Sequence, residues 1–135
     1  PITVKLYAAS SARDTDFTAK LIDVHPPSPD DPDGLAINLT DSIIRARYRN
    51  GWEKPELLEP EQVVALTFEL YPTANLFKTS HRIRLDISSS NFPRFDVNPN
   101  TGGPLGRERR FELADQAIYH DAEHPSQIIL PIIDR

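Results

Sequence analysis

Serine, histidine and aspartate lie closest together between residues 81 and 90, where Ser90, His81 and Asp86 could in principle form the catalytic triad of a serine hydrolase. The run from His81 to Ile87 alternates polar and apolar residues, which predicts a half-buried strand. Because His81 and Asp86 are an odd number of residues apart, their side chains would point to opposite faces of that strand. The sequence also has no Gly-x-Ser-x-Gly turn to expose a nucleophile. We therefore expect no catalytic residue in this chain, and we expect its loop serines to bond turn backbone.

Two groups of side chains have the composition of a metal site but lack the spacing of one. Three aspartates lie in the segment 30–33, yet in EF-hand register the first position would be Pro29 and the twelfth Thr40, and neither residue fits the motif. We expect this segment to be a solvated acidic turn. His120 and His124 are four residues apart, but a proline follows and no helical pattern supports them. The sequence therefore predicts no metal and no cofactor.

Composition describes one globular domain of 135 residues, with 39% hydrophobic and 26% charged residues. The net charge of -5 argues against a surface for nucleic acid or for an anionic membrane. No apolar run approaches the roughly 18 residues needed to cross a bilayer, so we expect a soluble protein. The absence of cysteine excludes a disulfide but leaves the compartment open, with a cytoplasmic location favoured over a secreted one.

The elements that would position these side chains are short strands separated by Pro-, Gly- and Asp-rich turns. The sequence shows no convincing helix and no internal repeat. This pattern predicts an all-β fold, a jelly-roll β-sandwich. The predicted strands are Ile2–Ala8, Phe17–Val24, Leu35–Leu39, Ile43–Arg49, Val64–Leu70, His81–Ile87, Gln116–His120 and Gln127–Ile133.

The fourth of these strands would carry three arginines on one face, namely Arg45, Arg47 and Arg49. A helix over the same residues would scatter them around the surface. Two interpretations stay open at this point. The arginines form a solvated face, or they meet carboxylates across a sheet or an interface.

A polar loop rich in proline and glycine follows the His81 strand and carries two aromatic residues, Phe92 and Phe95. A merely solvated connection would not need them, since phenylalanine prefers a buried position. Either the two rings fold back onto the core of this domain, or a partner covers them.

Several motifs, in the same order along nearly the whole chain, resemble one family: the C-terminal jelly-roll domain of the X-Pro dipeptidyl-peptidase and cocaine esterase (CocE/NonD) serine hydrolases. That family includes cephalosporin acylases and α-amino acid ester hydrolases. The motifs are Asp14–Leu21, Ile44–Arg49, Phe77–Arg82, Ser89–Phe95, Asn98–Gly102, His124–Ser126 and Leu130–Ile132.

The resemblance implies a galactose-binding-domain-like β-sandwich that packs on an α/β-hydrolase domain. It also implies that the catalytic triad belongs to that other domain, since no triad residue maps here. Because the chain lacks methionine and begins inside a predicted strand, we expect residues 1–135 to be one domain from the C-terminal part of a larger α/β-hydrolase.

Two positions depart from the family pattern, which commonly has glycine where Ser80 and Glu61 stand here. If either position requires a positive φ, the local cost is about 1–2 kcal/mol.

The resulting expectation is a non-catalytic domain of a serine hydrolase that acts on acyl ester or amide bonds. It would contribute scaffold, one wall of the substrate cleft and contacts to the catalytic domain, or to other subunits in a homo-oligomer. Asp16 and His81 would be internal hydrogen-bonding residues. The residues expected at the interface or cleft edge are Asn91, Phe92, Arg94 and Phe95, with Arg45 and Arg47 as ion-pair partners.

Two functions of other classes remain alternatives. A carbohydrate-binding module could stack a sugar on Trp52, Tyr48 and Tyr71. An independent interaction domain would be a folded monomer without a large apolar patch. The sequence does not indicate which ester or peptide a parent enzyme would cleave.

Overall fold

A computed structural model describes residues 1–134, which fold into two antiparallel sheets. The two sheets contain seven strands between them, and a single 3-10 turn at Ala46–Tyr48 is the one helical element of the described residues. No helix in this part of the chain is long and apolar enough to cross a membrane. The strands are β1 (Thr3–Ser10), β2 (Asp16–His25), β3 (Leu35–Arg45), β4 (Val64–Glu69), β5 (Arg82–Ser88), β6 (Gln116–Tyr119) and β7 (Gln127–Ile129).

The first two strands are the centres of the two sheets. In one sheet β1 lies between β4 and β6, and β7 also pairs with β1. In the other sheet β2 lies between β3 and β5. The all-β, two-sheet sandwich expected from the sequence is confirmed, while jelly-roll connectivity stays a prediction.

The core lies between the sheets and is built from alternate residues of three strands and from Leu70, which directly follows β4. Alternation places every second side chain on the inner face, which is why the apolar residues of β1, β2 and β4 meet. Leu85 and Ile87 of β5 pack against this core from the edge, as the alternation predicts. The buried core residues are Val4, Leu6, Ala8, Phe17, Ala19, Leu21, Leu66, Phe68 and Leu70.

The predicted strand over Ile43–Arg49 is wrong, and so is the count of eight strands. Leu35–Leu39 and Ile43–Arg45 belong to one strand, β3, which turns into the 3-10 segment after Arg45. A register shift opposite Leu21 and Ile22 leaves Leu39 as an extra residue on β3. This bulge interrupts the alternation, so one long strand has the sequence pattern of two.

Both positions where the family pattern has glycine adopt a left-handed backbone. Glu61 has a φ of 68° and Ser80 a φ of 70°. The condition stated for the two departures is therefore met, and each residue occupies a conformation that favours glycine, while the energetic cost stays a prediction.

Candidate functional site

The loop of residues 89–103, here called the Phe92 loop, is fixed to the sandwich by Asn98. The Asn98 amide donates hydrogen bonds to Asp14 Oδ2 at 3.1 Å and to Asp16 Oδ1 at 2.9 Å. Its own Oδ1 accepts from the backbone N–H of Asn100 at 2.9 Å. Asn98 is 5% exposed, and both aspartates are almost completely buried. Buried polar groups paired in this way give the loop one defined position.

Two arginines neutralise the same buried carboxylates. Arg45 donates from Nε and Nη2 to the two oxygens of Asp16, at 2.8 and 2.9 Å. Arg47 donates from Nε to Asp14 Oδ2 at 2.8 Å, and its Nη2 donates to the carbonyl of Gly103 at 2.9 Å. The hydrogen bond to Asp16 raises the pKa of Arg45 above its usual value.

These contacts place Arg45 and Arg47 inside the domain as ion-pair partners of its own aspartates. Their side chains are 16% and 11% exposed, respectively. A role for either arginine at an interface stays a prediction. Asp16 is an internal hydrogen-bonding residue, as expected.

The first half of the Phe92 loop is held by Asp41 of β3. Asn91 donates from Nδ2 to Asp41 Oδ2 at 3.3 Å, and Arg94 Nε lies 2.7 Å from Asp41 Oδ1. The Arg94 guanidinium also lies over the rings of Tyr71 and Phe95, 5.4 and 5.5 Å from their centres. Arg94 therefore joins the loop to β3 and to the segment that follows β4.

The two phenylalanines of this loop have different surroundings. Phe95 is partly buried beside Arg94, whereas Phe92 is 70% exposed. Phe92 thus stands on a segment that hydrogen bonds fix on both sides, with most of its ring in solvent. Of the two open interpretations, packing onto the domain itself does not hold for Phe92.

The structure separates the three residues considered as a triad. His81 directly precedes β5 and Ser90 lies just beyond its end, and the seven residues of that strand span about 23 Å. Ser88 donates to the Ser90 carbonyl at 3.2 Å, as expected of turn serines. Asp86 pairs with Arg84 instead, with Nε and Oδ1 3.0 Å apart. These three residues therefore cannot act together.

A second Ser, His and Asp group, which the sequence reasoning missed, lies in the turn before β7. His124 Nδ1 is 3.2 Å from Asp121 Oδ1. The nearby Ser126 hydroxyl donates to the carbonyl of Tyr119 and accepts from the N–H of Tyr7. Because its proton is engaged by a backbone carbonyl, Ser126 stabilises the turn rather than serving as a nucleophile.

The aromatic residues considered for sugar binding lie in two places. Trp52 is 82% exposed, and its ring centre is 4.9 Å from that of Tyr48. Tyr71 instead contacts Arg94 of the Phe92 loop. The structure thus offers an exposed Trp52 beside a partly buried Tyr48 rather than a platform of three aromatic residues.

The acidic segment before Gly34 is a turn, as expected. The backbone N–H groups of Ser28 and Gly34 both donate to the carbonyl of Asp31, at 2.9 Å each. Asp30 and Asp33 are exposed.

Comparison with known proteins shows the family of this chain. Residues 1–129 match the model of the X-Pro dipeptidyl-peptidase C-terminal non-catalytic domain. The chain is 46% identical over 136 aligned residues to cocaine esterase of Rhodococcus sp. (strain MB1 Bresler), an alignment that covers 99% of this chain and 23% of that protein.

Two solved structures share the fold. An α-amino acid ester hydrolase superposes with a TM-score of 0.86 and 36% identity over 94% of this chain and 22% of its own. An aminopeptidase from a marine sediment Thaumarchaeota archaeon gives a TM-score of 0.85 and 31% identity, over 96% and 23% of the two chains. The chain thus spans less than a quarter of the length of these three relatives. It belongs to the family of X-Pro dipeptidyl-peptidase C-terminal non-catalytic domains.

Proposed function

We propose that this domain packs on the α/β-hydrolase domain of a serine hydrolase and that the Phe92 loop forms part of the contact. In this arrangement the sandwich supplies scaffold and the loop supplies an edge of the substrate cleft or of a subunit interface. The catalytic residues are contributed by the partner domain.

The observation that carries this proposal is the exposure of Phe92 on a fixed loop. Burying a phenylalanine is worth about 1.5–3 kcal/mol, and an isolated domain does not gain this energy while the ring is 70% exposed. Aromatic side chains that enter a partner's pocket are typical anchors of interfaces. The hydrogen bonds of Asn98, Asn91 and Arg94 lower the entropic cost of docking, because they order the loop beforehand.

The reaction we propose for the complete protein is hydrolysis of an acyl ester or amide bond. The relatives are described as an esterase, an ester hydrolase and an aminopeptidase, and each of these activities cleaves an acyl bond. This chain covers less than a quarter of each relative, which supports placing the chemistry outside it.

The test is a chimera in which this chain replaces the matching part of the Rhodococcus cocaine esterase. We expect Phe92→Ser to lower the melting temperature and the ester hydrolysis rate of the chimera. Phe111→Ser is the matched control, because Phe111 is the same residue type and is also 70% exposed. In the isolated chain both variants should change stability by less than about 0.5 kcal/mol, since neither ring is packed.

Equal behaviour of the two variants in the chimera would contradict the proposal. If only Phe111→Ser lowered the melting temperature and the hydrolysis rate of the chimera, the interdomain contact would lie on the face that carries Phe111. A loss of stability with Phe92→Ser in the isolated chain would mean that Phe92 is an internal packing residue.

A carbohydrate-binding role is the second candidate, and the exposure of Trp52 favours it. Trp52 is the only tryptophan in the chain, so its fluorescence reports on this site alone. A saturable shift on titration with soluble oligosaccharides would support sugar binding. An unchanged spectrum across the panel would exclude this site as a sugar platform.

A further inference from the structure

Asp23, His25 and His81 meet at the end of the β3-β2-β5 sheet opposite the Phe92 loop. Asp23 and His25 are two residues apart on β2, so their side chains share one face. His81 directly precedes β5, in which Ile83 pairs with Asp23. The sheet thus brings together side chains 58 residues apart in the sequence, His81 and Asp23.

The nitrogens of both rings face one carboxylate. His81 Nδ1 lies 2.8 Å from Asp23 Oδ1, and His25 Nε2 lies 3.6 Å from Asp23 Oδ2. The ring centres of the two histidines are 4.2 Å apart, and one ligand atom from each of the three residues lies within 4.8 Å of the others. Two imidazole nitrogens and one carboxylate oxygen therefore lie close together.

Burial and a supporting hydrogen bond distinguish this group from a surface cluster. Asp23 and His81 are 5% and 12% exposed at their side chains, and His25 is 35% exposed. Asn75 donates from Nδ2 to Asp23 Oδ2 at 3.1 Å, which fixes the orientation of the carboxylate. Hydrogen bonds of this kind to a ligating carboxylate are typical of protein metal sites.

A groove of about 180 Å³ opens beside the two histidines. Its wall includes His25, His81 and the turn residues Ser28 and Asp31. The groove gives solvent access at the two histidine rings. A fourth ligand could therefore be water or a small anion.

We propose that Asp23, His25 and His81 form a binding site for a divalent first-row transition ion such as Zn²⁺. Two imidazoles and one carboxylate are ligands that Zn²⁺ accepts, and three protein ligands with one open position form a common arrangement. Tetrahedral ligands about 2.1 Å from the ion lie about 3.4 Å from each other. His25 Nε2 lies 3.6 Å from Asp23 Oδ2 and His81 Nδ1 lies 2.8 Å from Asp23 Oδ1, so the two rings contact different oxygens of the carboxylate, and the side chains must adjust for one ion to be bound by all three.

Metal binding at His81 Nδ1 requires this nitrogen to carry no proton. His81 holds its ring proton on Nε2 when Nδ1 binds the metal, so the Nδ1 hydrogen bond to Asp23 is exchanged for two metal bonds. Without a metal, the same three side chains would form only a hydrogen-bonded pair of histidines on one carboxylate. Metal titration separates these two outcomes.

The experiment is calorimetric titration of the metal-free 135-residue chain with ZnCl2, followed by Co²⁺ absorption spectroscopy. We expect one equivalent of Zn²⁺ to bind and Co²⁺ to give the visible absorption of a four-coordinate site. His25→Asn should weaken binding at least tenfold, and its partial exposure allows the variant to fold. Asn75→Ala should weaken binding by about tenfold through the carboxylate it orients.

His124→Asn is the matched control, because His124 is a solvent-accessible histidine beside a single carboxylate, Asp121. It should leave the affinity unchanged. Absence of a one-to-one binding event in the parent chain would overturn the proposal. The proposal would also be overturned if His25→Asn left the Zn²⁺ affinity unchanged, or if His124→Asn lowered it as much as His25→Asn does. Circular dichroism of each variant distinguishes lost ligands from lost fold.

Discussion

Arg45 meets Asp16 directly across strands β2 and β3, and its Nε and Nη2 lie 2.8 and 2.9 Å from the two carboxylate oxygens. This parallel pair of hydrogen bonds uses the planar geometry that arginine has and lysine lacks. Asp16 also accepts a hydrogen bond from Asn98, the residue that fixes the Phe92 loop to the sandwich. The position of the loop therefore depends on a buried charge pair in the sheet.

We predict that Arg45→Met destabilises the domain by about 3 kcal/mol, because it leaves the carboxylate of Asp16 buried without its cation. Arg45→Lys should have an intermediate effect, since the charge is kept and the two-bond geometry is lost. Urea denaturation followed by circular dichroism measures both changes.

The matched control for Arg45 is Arg84, which pairs with Asp86 at 3.0 Å on the surface. The side chains of that pair are 49% and 47% exposed, so Arg84→Met should cost less than about 1 kcal/mol. If Arg45→Met and Arg84→Met lowered the free energy of unfolding by similar amounts, the buried pair would contribute no more to stability than the surface pair.

The sequence predicted the fold where local patterns determine it. Val4 and Leu6 alternate with Thr3, Lys5 and Tyr7, and both lie in the core. The bulge at Leu39 broke the same pattern in β3, since alternation assumes an unbroken register.

The polar contacts were harder to predict than the strands. Asn98 and Asp14 are 84 residues apart, and charged residues are expected at the surface unless a partner is known. All four side chains of the network around Asn98, those of Asp14, Asp16, Arg45 and Arg47, carry charge, so periodicity alone would have left them in solvent. The Asp23 group was not predicted either, because His25 and His81 come together only when β2 pairs with β5.

Left-handed backbone at Ser80 and Glu61 provides a second prediction. Their φ values of 70° and 68° are costly for residues with a Cβ, and neither side chain makes a hydrogen bond among the described residues. Ser80→Gly and Glu61→Gly should each stabilise the domain by about 0.5–1 kcal/mol, after allowing for the greater freedom of glycine in the unfolded chain. Thermal and urea denaturation measure the gain.

Thr79→Gly is the control for Ser80→Gly, because Thr79 is the exposed neighbour and does not have a positive φ. It should destabilise the domain by about 0.5–1 kcal/mol. If Ser80→Gly and Thr79→Gly shift stability in the same direction, backbone strain at Ser80 is not the cause.

The turn before β7 predicts a dependence of stability on pH. Backbone N–H groups of His124 and Glu123 donate to Asp121 at 2.8 and 2.9 Å. The hydrogen bond from the His124 backbone, with further help from its side chain, holds the pKa of Asp121 below the ordinary value of 3.8. A carboxyl whose pKa is lowered on folding stabilises the folded state above its unfolded pKa, and this contribution is lost as the pH falls through the folded pKa.

We therefore expect the stability advantage of the parent chain over Asp121→Asn to be constant above about pH 5 and to shrink as the pH falls below 3.8. Asparagine keeps an acceptor oxygen for the two N–H groups, so the comparison isolates the charge. Urea denaturation of both proteins at a series of pH values from 5 to 2 tests this. A difference that does not change over this range would show that the charge of Asp121 is not linked to folding.

The last prediction concerns catalysis by the isolated domain. We expect no labelling of the 135-residue chain by a fluorophosphonate probe and no turnover of a p-nitrophenyl ester, because neither of the two Ser, His and Asp groups described above has the geometry of a catalytic triad. Ser90 is separated from His81 by the length of β5, and the Ser126 proton is held by the carbonyl of Tyr119. Stoichiometric labelling that Ser126→Ala abolishes would assign a nucleophile to the β7 turn. Labelling that Ser90→Ala abolishes would require the Phe92 loop to rearrange in solution, and either result would contradict a triad supplied by another domain.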